Sequence, residues 1–453
     1  MKAFSNNFNP DLIQKYNRAG PRYTSYPTAL QFHDKVDTAD LLGDLKTTPG
    51  PLSLYLHLPF CESLCWFCAC TTVITRNPDR VNGYLDALEK EIQLLTPHLP
   101  AREVAQLHYG GGSPSFLEPE HIRRLNTLLG AHFTDAPAPE KSVELDPRTL
   151  TEEKVRAFAE GGFTRASFGV QDVNPAVQQA VHRVQPDELN RTAIGWIRAA
   201  GFNSLNLDLI YGLPKQTRES FAETVDTVIE YNPDRIALFS YAHVPWVAPA
   251  QKILERSTLP PPEEKLAMFQ VALDRLSAAG YAFIGMDHFA KESDELARAA
   301  RSGGLHRNFQ GYTTRDGLSL CGLGMSSISQ SGRAYRQNFK TLDAYYGALA
   351  NDRLPLERGY LLSAADLLRR DIIMGLMCRF CIDLEDVTHA HNTSPAEFAP
   401  ALAELEAFAQ DGLVEIEGPR IRVTPTGRFL IRNIAMVFDA YLRPAENRHA
   451  RTI

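Results

Sequence analysis

The sequence predicts an α/β protein: a parallel sheet with helices on its outer face, an N-terminal arm and a mostly α-helical C-terminal domain. Three observations predict it. From Pro51 onward short apolar runs alternate with longer helical patterns and no long linker intervenes. Residues 1–50 lack that alternation and hold the turn-rich stretch GPRYTSYPTA at 20–29. After about residue 355 helical patterns follow one another and end in a hairpin.

The candidate strands are 52–58 (LSLYLHL), 104–109, 142–145, 165–170, 205–210, 235–241 and 281–286. Helical stretches fall between them at 80–95, 118–129, 152–160, 187–200, 218–231 and 263–279. A strand-then-helix order argues for parallel strands joined by crossovers, either an open doubly wound sheet or a barrel that is closed or partly closed. In such sheets chemistry gathers at the carboxyl ends of the strands. Three units follow: an arm or lid over 1–50, a catalytic domain over 51–355 and a mostly helical domain over 356–453. In the last, helices at 363–380 and 395–410 precede a hairpin turning at Gly418-Pro419 between 414–416 and 421–423, and a further helix runs toward Leu442. Helices followed by a hairpin also suggest a winged-helix module, but the charge balance favours a helical cap over a DNA-binding role.

The 453 residues exceed what one core usually supports, and 44% hydrophobic with 22% charged residues is ordinary for a folded soluble chain. A net charge of -7 and a pI near 6.0 give no general attraction for nucleic acid or an anionic membrane. The expected partner is a small molecule. No apolar run approaches the ~20 residues that cross a bilayer, and the opening MKAFSNNFNPDLIQKY has no signal-peptide pattern. The expected location is cytoplasmic, where clustered cysteines are metal ligands more often than disulfide partners.

Four of the seven cysteines lie within ten residues, in CESLCWFCAC directly after the first strand. Cys61, Cys65 and Cys68 stand at C-x3-C-x2-C spacing. Three thiolates hold three irons of a [4Fe-4S] cubane and leave the fourth iron without a protein ligand. A structural zinc site ordinarily takes four protein ligands, commonly in two separated pairs, and Cys70 joins the trio only by straining the loop. An open iron can chelate the amino and carboxylate groups of S-adenosylmethionine, so that an electron from the cluster breaks the neighbouring S–C5' bond. The protein then supplies aim and exclusion of solvent. Trp66 and Phe67 inside the motif suit such shielding and suit ordinary packing equally.

The second strand runs into GGGSPS at 110–115, whose glycines let backbone approach a ligand closely and offer N–H and C=O groups to it. Glu144 and Asp146 end the third strand, Gln171 and Asp172 follow the fourth, and Asp208 lies in the fifth. Asp146, before Pro147, also suits an ordinary turn acid.

On these residues the sequence resembles the oxygen-independent coproporphyrinogen III dehydrogenases, also called anaerobic coproporphyrinogen oxidases, of the radical S-adenosylmethionine (SAM) superfamily. The resemblance rests on GPRYTSYPTA (20–29), YLHLPFCESLCWFC (55–68), GGGSPSFL (110–117), ELDPR (144–148), FGVQD (168–172), NLDLIYGLPKQT (206–217), FIGMDHFA (283–290), LHRNFQGYTT (305–314) and GRFLIRNIAMVFDAYL (427–442), and covers nearly the whole chain. It implies a partial or open (β/α) barrel of the radical SAM type. It also implies oxidative decarboxylation of the ring A and B propionates of coproporphyrinogen III to vinyl groups, giving protoporphyrinogen IX for haem. Two propionates imply two SAM molecules. The first, on the cluster, would meet Tyr55, Gly111, Glu144 and Ile328; the second would meet Phe67, Gly112, Ser113, Gln171, Arg183, Asp208 and Ala242. The chain departs from the family's usual glycine, threonine and asparagine at Ala69, Ser113 and Ser240, and Thr71-Thr72 stand where asparagine and lysine are usual.

The implied substrate carries four carboxylates, which arginine recognises well. Arg22 and Arg307, with Tyr23 and His288 near them in the motifs, are the expected substrate contacts. A small redox protein as electron donor and a monomeric chain complete the expectation. Cys378 and Cys381 stand at C-x2-C spacing without a second pair and are expected to be packed thiols.

Overall fold

The computed structural model describes residues 8–256 and 259–442, so the first seven residues of the expected arm and the last eleven of the chain lie outside the described residues. The arm begins with α1 (Pro10–Tyr16), capped by the Asn9 side chain, which accepts from the N–H groups of Asp11 and Leu12. Tyr16 stacks on Phe408 at 4.5 Å and its hydroxyl donates to Asp411 at 2.6 Å. After α1 the chain buries Tyr23 and Tyr26, and α2 (Thr38–Thr47) buries Leu41, Leu42 and Leu45.

The catalytic sheet starts with β1 (Leu52–Leu58), continues through β2 (Glu103–Gly111), β3 (Thr134–Leu145), β4 (Arg165–Gln171), β5 (Ser204–Tyr211) and β6 (Arg235–Ser240), and all six pair in parallel in that order. Every residue of β1 except Tyr55 is buried, as expected of a strand covered on both faces. The helices of the crossovers cover the outer face. Arg80–Leu95 is one of them: Val81, Leu85, Leu88 and Ile92 recur on one stripe and are fully buried, each contributing roughly 1.5–3 kcal/mol.

Beyond β6 the seventh expected strand forms and runs in the same sense as its predecessors, but it does not pair with β6. Residues 281–286 form β7 (Tyr281–Gly285), which turns directly into β8 (His288–Lys291). β8 pairs antiparallel with β6 and with β7, which is left at the edge. The physical reason is the connection: only Met286 and Asp287 separate the two strands, too few for the crossover that a parallel pair needs. A second hairpin, β9 (His306–Asn308) with β10 (Gly311–Thr313), follows. On the other side β11 (Ser319–Leu323) pairs parallel with β1, and β12 (Ile328–Gln330), β13 (Ala334–Asn338) and β14 (Leu356–Leu361) continue antiparallel from it. The result is a twelve-stranded sheet whose ends, β14 and β7, are not paired with each other. It is an open barrel.

In the C-terminal region Ala364–Arg379 forms a helix begun by a Ser363/Asp366 capping box, and Ala399–Gln410 forms another. The expected hairpin is β16 (Val414–Glu417) with β17 (Arg420–Val423), joined by a third strand, β15 (Cys381–Asp383), that the sequence pattern does not reveal. Phe380, at φ 57°, ends the helix and starts β15, so buried Cys378 and half-buried Cys381 belong to different elements. The last helix among the described residues, Ile431–Met436, stops short of Leu442. Buried Arg432 on it donates to the carbonyls of Pro21 and Gly20, while Tyr23 donates to Asp439 at 2.9 Å. The arm is thereby tied to the end of the described chain. Among the described residues no helix is long and apolar enough to cross a membrane.

Candidate active site at the carboxyl ends of the parallel strands

The cysteine loop leaves β1 at Pro59 and is pinned at several points. Thr75 N–H donates to Cys61 O at 2.9 Å, Trp66 N–H to Val181 O at 3.0 Å, and the Gln251 amide to Phe67 O at 2.8 Å. Trp66 stacks on His182 at 5.1 Å, and both Trp66 and Phe67 pack against a small apolar cluster that includes Val177, Val181 and Leu213. The expected shielding of the loop and ordinary packing are here the same contacts.

The three thiols lie within each other's electrostatic reach. Burial first, then the neighbouring Cys68, Asp146 and Cys65, pushes the Cys61 thiol up to about 12. Cys68 is shifted the other way, chiefly by a hydrogen bond from the Cys70 side chain, and it also accepts the Cys70 backbone N–H at 3.4 Å. Cys70 is therefore a neighbour that stabilises a thiolate on Cys68. Among the described residues no three His, Cys, Asp or Glu side chains converge on one metal ion; a cubane does not require this, because each thiolate binds its own iron.

Cys65 is the buried member of the trio, and two guanidinium groups reach its sulfur: Arg148 Nη2 at 3.4 Å and Arg183 Nη1 at 3.6 Å. Both also hold Asp146, with Arg148 Nη2 at 2.6 Å and Arg183 Nη1 at 3.1 Å. Burial alone would raise the Asp146 carboxyl, but Arg183 and Arg148 outweigh it and hold it well below the usual carboxylate range. Asp146 also makes the turn expected of it, accepting Arg148 N–H at 3.0 Å. A cavity of ≈ 60 Å³ lies among Cys61, Ser113, Asp146 and Arg148.

The glycine run works differently from the expectation. A side chain at Gly112 would run into the carbonyl of Pro59, and one at Gly111, where φ is 115°, would come within 2.7 Å of the His57 ring. The N–H groups, however, are already committed: Gly112 to Leu58 O at 2.8 Å, Ser113 to Phe60 O at 2.9 Å and Gly111 to Glu144 at 3.3 Å. The run thus fastens the cysteine loop to β2, and close approach rather than free N–H groups is what it offers a ligand.

Glu144 is braced by His108 Nε2 at 3.2 Å, and Tyr55 stacks on His108 at 5.8 Å. The Tyr55 hydroxyl meets His57 Nδ1 at 3.1 Å; since His57 Nε2 faces the Thr71 carbonyl at 2.9 Å and must donate to it, Nδ1 is the acceptor. Desolvation raises Glu144, but the His108 contacts and Gly111 N–H bring it below its ordinary value. On β5, Asp208 is pushed up to about 7 by burial and then by Glu144. Gln171 has φ 66°, and its Oε1, like Arg183 Nε, is buried without a partner. A Cβ at Gly169 would meet the Gln171 amide, so any larger residue there displaces that side chain. Ile328 starts β12 with its carbonyl close over Gly322, the residue opposite Tyr55 in the ladder, and half-buried Ala242 follows the end of β6.

The four expected substrate contacts separate. Tyr23 is only 1% exposed and its hydroxyl donates to Asp439, at the joint between arm and C-terminal region. Arg22 forms an ion pair with Asp287 and lies over the Phe239 ring at 5.5 Å. His288 stands between Phe239 and Tyr312; burial, then the Arg307 charge, lowers it to about 3, so it is neutral. Arg307 lies over the Tyr312 ring at 4.8 Å with Nε and Nη1 buried and unpartnered. Sequence reasoning assigned no role to His57, Arg148, Asp287 and Arg432, although each lies inside a motif that carries the resemblance, and it missed His108, which lies outside them.

The Radical SAM superfamily profile matches residues 55–228 and the HemN C-terminal domain profile matches 362–430. Relatives named oxygen-independent coproporphyrinogen III oxidase are 46% identical in Synechocystis sp., with 96% of both chains covered, and 48% identical in Salmonella typhimurium, with 95% of both covered. A solved structure described as "Coproporphyrinogen III oxidase (HemN) from Escherichia coli is a Radical SAM enzyme" superposes with a TM-score of 0.91 at 44% identity, over 96% of this chain and 99% of that one. The chain belongs to the oxygen-independent coproporphyrinogen III oxidase family. As a radical SAM protein of that family it uses a [4Fe-4S] cluster and SAM. Its own residues fit both: three neighbouring thiols in an anchored loop suit the cluster, and the orphaned Gln171 Oε1 and Arg183 Nε mark where polar ligand atoms would be received.

Proposed function

We propose that the chain converts the propionates on rings A and B of coproporphyrinogen III into vinyl groups, giving protoporphyrinogen IX in anaerobic haem synthesis. The observation that carries this reading beyond family membership is a cation-rich patch beside β6, in the same sheet as the strand that leads into the thiol loop. Asp287 O accepts Leu238 N–H in β6, and Tyr211, at the end of the strand that bears Asp208, feels both Asp287 and Arg22. A multiply carboxylated substrate suits such a patch.

Cys61, Cys65 and Cys68 hold the cluster. Tyr55, Gly111, Glu144 and Ile328 bind the SAM molecule on it, and Phe67, Gly112, Ser113, Gln171, Arg183, Asp208 and Ala242 receive a second. When bound, these groups supply the one-electron cleavage that starts hydrogen removal from the propionate β-carbon. Each propionate loses that hydrogen atom, CO2 and one electron to an external acceptor. Glu144, kept ionised by His108, attracts an ammonium group; Arg307 grips a propionate carboxylate beside the Arg22–Asp287 pair. Trp66 and Phe67 keep water from the loop. The working protein is a cytoplasmic monomer fed by a small redox protein, organised as an arm over 1–50, a catalytic domain over 51–355 and a C-terminal domain over 356–453.

The test is anaerobic reconstitution with iron and sulfide, a reductant, SAM and coproporphyrinogen III. The expected product is protoporphyrinogen IX; methionine release with no tetrapyrrole product overturns the reading.

A further inference from the structure

We infer that Arg148, held in place by Asp146, sets the electron affinity of the iron–sulfur cluster by donating an N–H to the sulfur of Cys65. The inference rests on the cluster assignment above and adds to it a residue whose part is tuning, not catalysis.

The trio of thiols is electrically uneven. Cys68 accepts a neutral backbone N–H from Cys70, whereas Cys65 faces two guanidinium groups. Arg148 is placed with little freedom. Its Nε lies 3.0 Å and 3.2 Å from the two Asp146 oxygens, its Nη2 lies 2.6 Å from Oδ2, and its Nη1 approaches Ser63 Oγ at 3.5 Å. The side chains of Arg148 and Asp146 are 19% and 14% exposed, so solvent screens the charge only weakly. Arg183 shares the carboxylate and spends Nη2 on Gly169 O at 2.8 Å. Two guanidinium charges against one carboxylate leave one positive charge in surplus beside Cys65.

Reduction adds one negative charge to a cluster. A fixed positive charge and an N–H···S bond favour the reduced form more than the oxidised one and raise the potential. Asp146 acts in opposition: it aims the guanidinium and also cancels part of its charge. Arg148 and Asp146 therefore carry opposite predictions, which a mere loop tie does not.

The experiment is an anaerobic redox titration of the reconstituted protein without substrate, followed by electron paramagnetic resonance of the reduced cluster, with iron content measured on each sample. Arg148→Gln, which keeps the length and a neutral donor, is expected to lower the reduced-to-oxidised ratio at a fixed potential about tenfold, a downward shift of about 59 mV for one electron. Arg148→Lys, which keeps the charge, lies between Arg148→Gln and the wild type, and Asp146→Asn shifts upward. Full iron with unchanged potentials in Arg148→Gln and Asp146→Asn overturns the inference. If Arg148→Gln fails to retain iron, Asp146→Asn decides: an upward shift supports it and an unchanged potential overturns it. Wild-type protein that assembles no cluster defeats the cluster assignment itself, a different result from an assembled cluster whose potential ignores Arg148.

Discussion

Two arginine clusters in this molecule are built on opposite plans. Beside Cys65, Arg148 and Arg183 share Asp146 through several charge-assisted hydrogen bonds, so that Arg148 is nearly saturated before any ligand arrives while Arg183 keeps only Nε buried without a partner. Beside β8, Arg22, Arg307 and Arg432 lie within reach of a single carboxylate, Asp287. There Arg22 takes the carboxylate, Arg432 bonds the arm's carbonyls, and Arg307 keeps Nε and Nη1 buried without a partner. A saturated cluster can tune a group fixed next to it. An unsaturated buried cation is costly unless an anion completes it, and that cost is the physical mark of a binding site.

The largest effect separates the two regions outright. Replacing Cys61, Cys65 or Cys68 by alanine is expected to abolish both the iron absorption and product formation, since the remaining pair of thiolates cannot hold the cubane. Arg307→Ala comes next and must spare the iron. Removing one partner of a buried charge-assisted contact costs about 2–5 kcal/mol, so kcat/KM for the tetrapyrrole is expected to fall roughly thirtyfold or more. Its cluster spectrum and redox titration are expected to match the wild type. The same variant is expected to melt higher than the wild type without substrate, because an uncompensated buried charge has gone. Equal loss of iron in Arg307→Ala would erase the distinction between the regions.

How far the sequence reached follows the same line. Runs such as LSLYLHL and helices such as Arg80–Leu95 declare themselves by periodicity, and the spacing of Cys61, Cys65 and Cys68 after the first strand declares the loop. Strand order is another matter. The run 281–286 reads like its predecessors and runs in their direction, but the two-residue link to His288 brings an antiparallel strand in between it and β6, which no pattern announces. The three-residue strands between 306 and 330 are too short to show a period. Within the site, motifs locate a neighbourhood but not an orientation: Arg22 and Tyr23 are adjacent in sequence, yet one faces Asp287 and the other is sealed against Asp439. The clamp on Asp146 needs Arg183, 37 positions away, and no local pattern predicts it.

A smaller effect probes the ground between the clusters. Asp208 titrates near 7 in the folded chain because it is buried and faces Glu144, against about 4 when unfolded. The folded state therefore holds a proton that the unfolded state has released between those values, and this contribution to stability is full below about pH 4 and lost as pH rises through 7. Asp208→Asn has no such loss. Its melting temperature without SAM is expected to exceed that of the wild type at pH 8, with the gap closing toward pH 5; a gap independent of pH would show that Asp208 is ionised throughout.

The smallest effect concerns Arg22. Its side chain is 40% exposed, and an ion pair so open to solvent contributes about 1 kcal/mol or less. Arg22→Ala is accordingly expected to change substrate affinity fivefold or less, well below Arg307→Ala. The sign discriminates between two tasks for this pair. If Arg22 chiefly neutralises Asp287, its removal leaves a carboxylate that repels the incoming propionate, and the double variant Arg22→Ala, Asp287→Ala recovers affinity. If Arg22 itself leaves Asp287 to hold the substrate, the double variant binds no better than Arg22→Ala. Comparison of the three variants by KM at constant ionic strength therefore assigns the pair either to the saturated plan seen at Cys65 or to the unsaturated plan of Arg307.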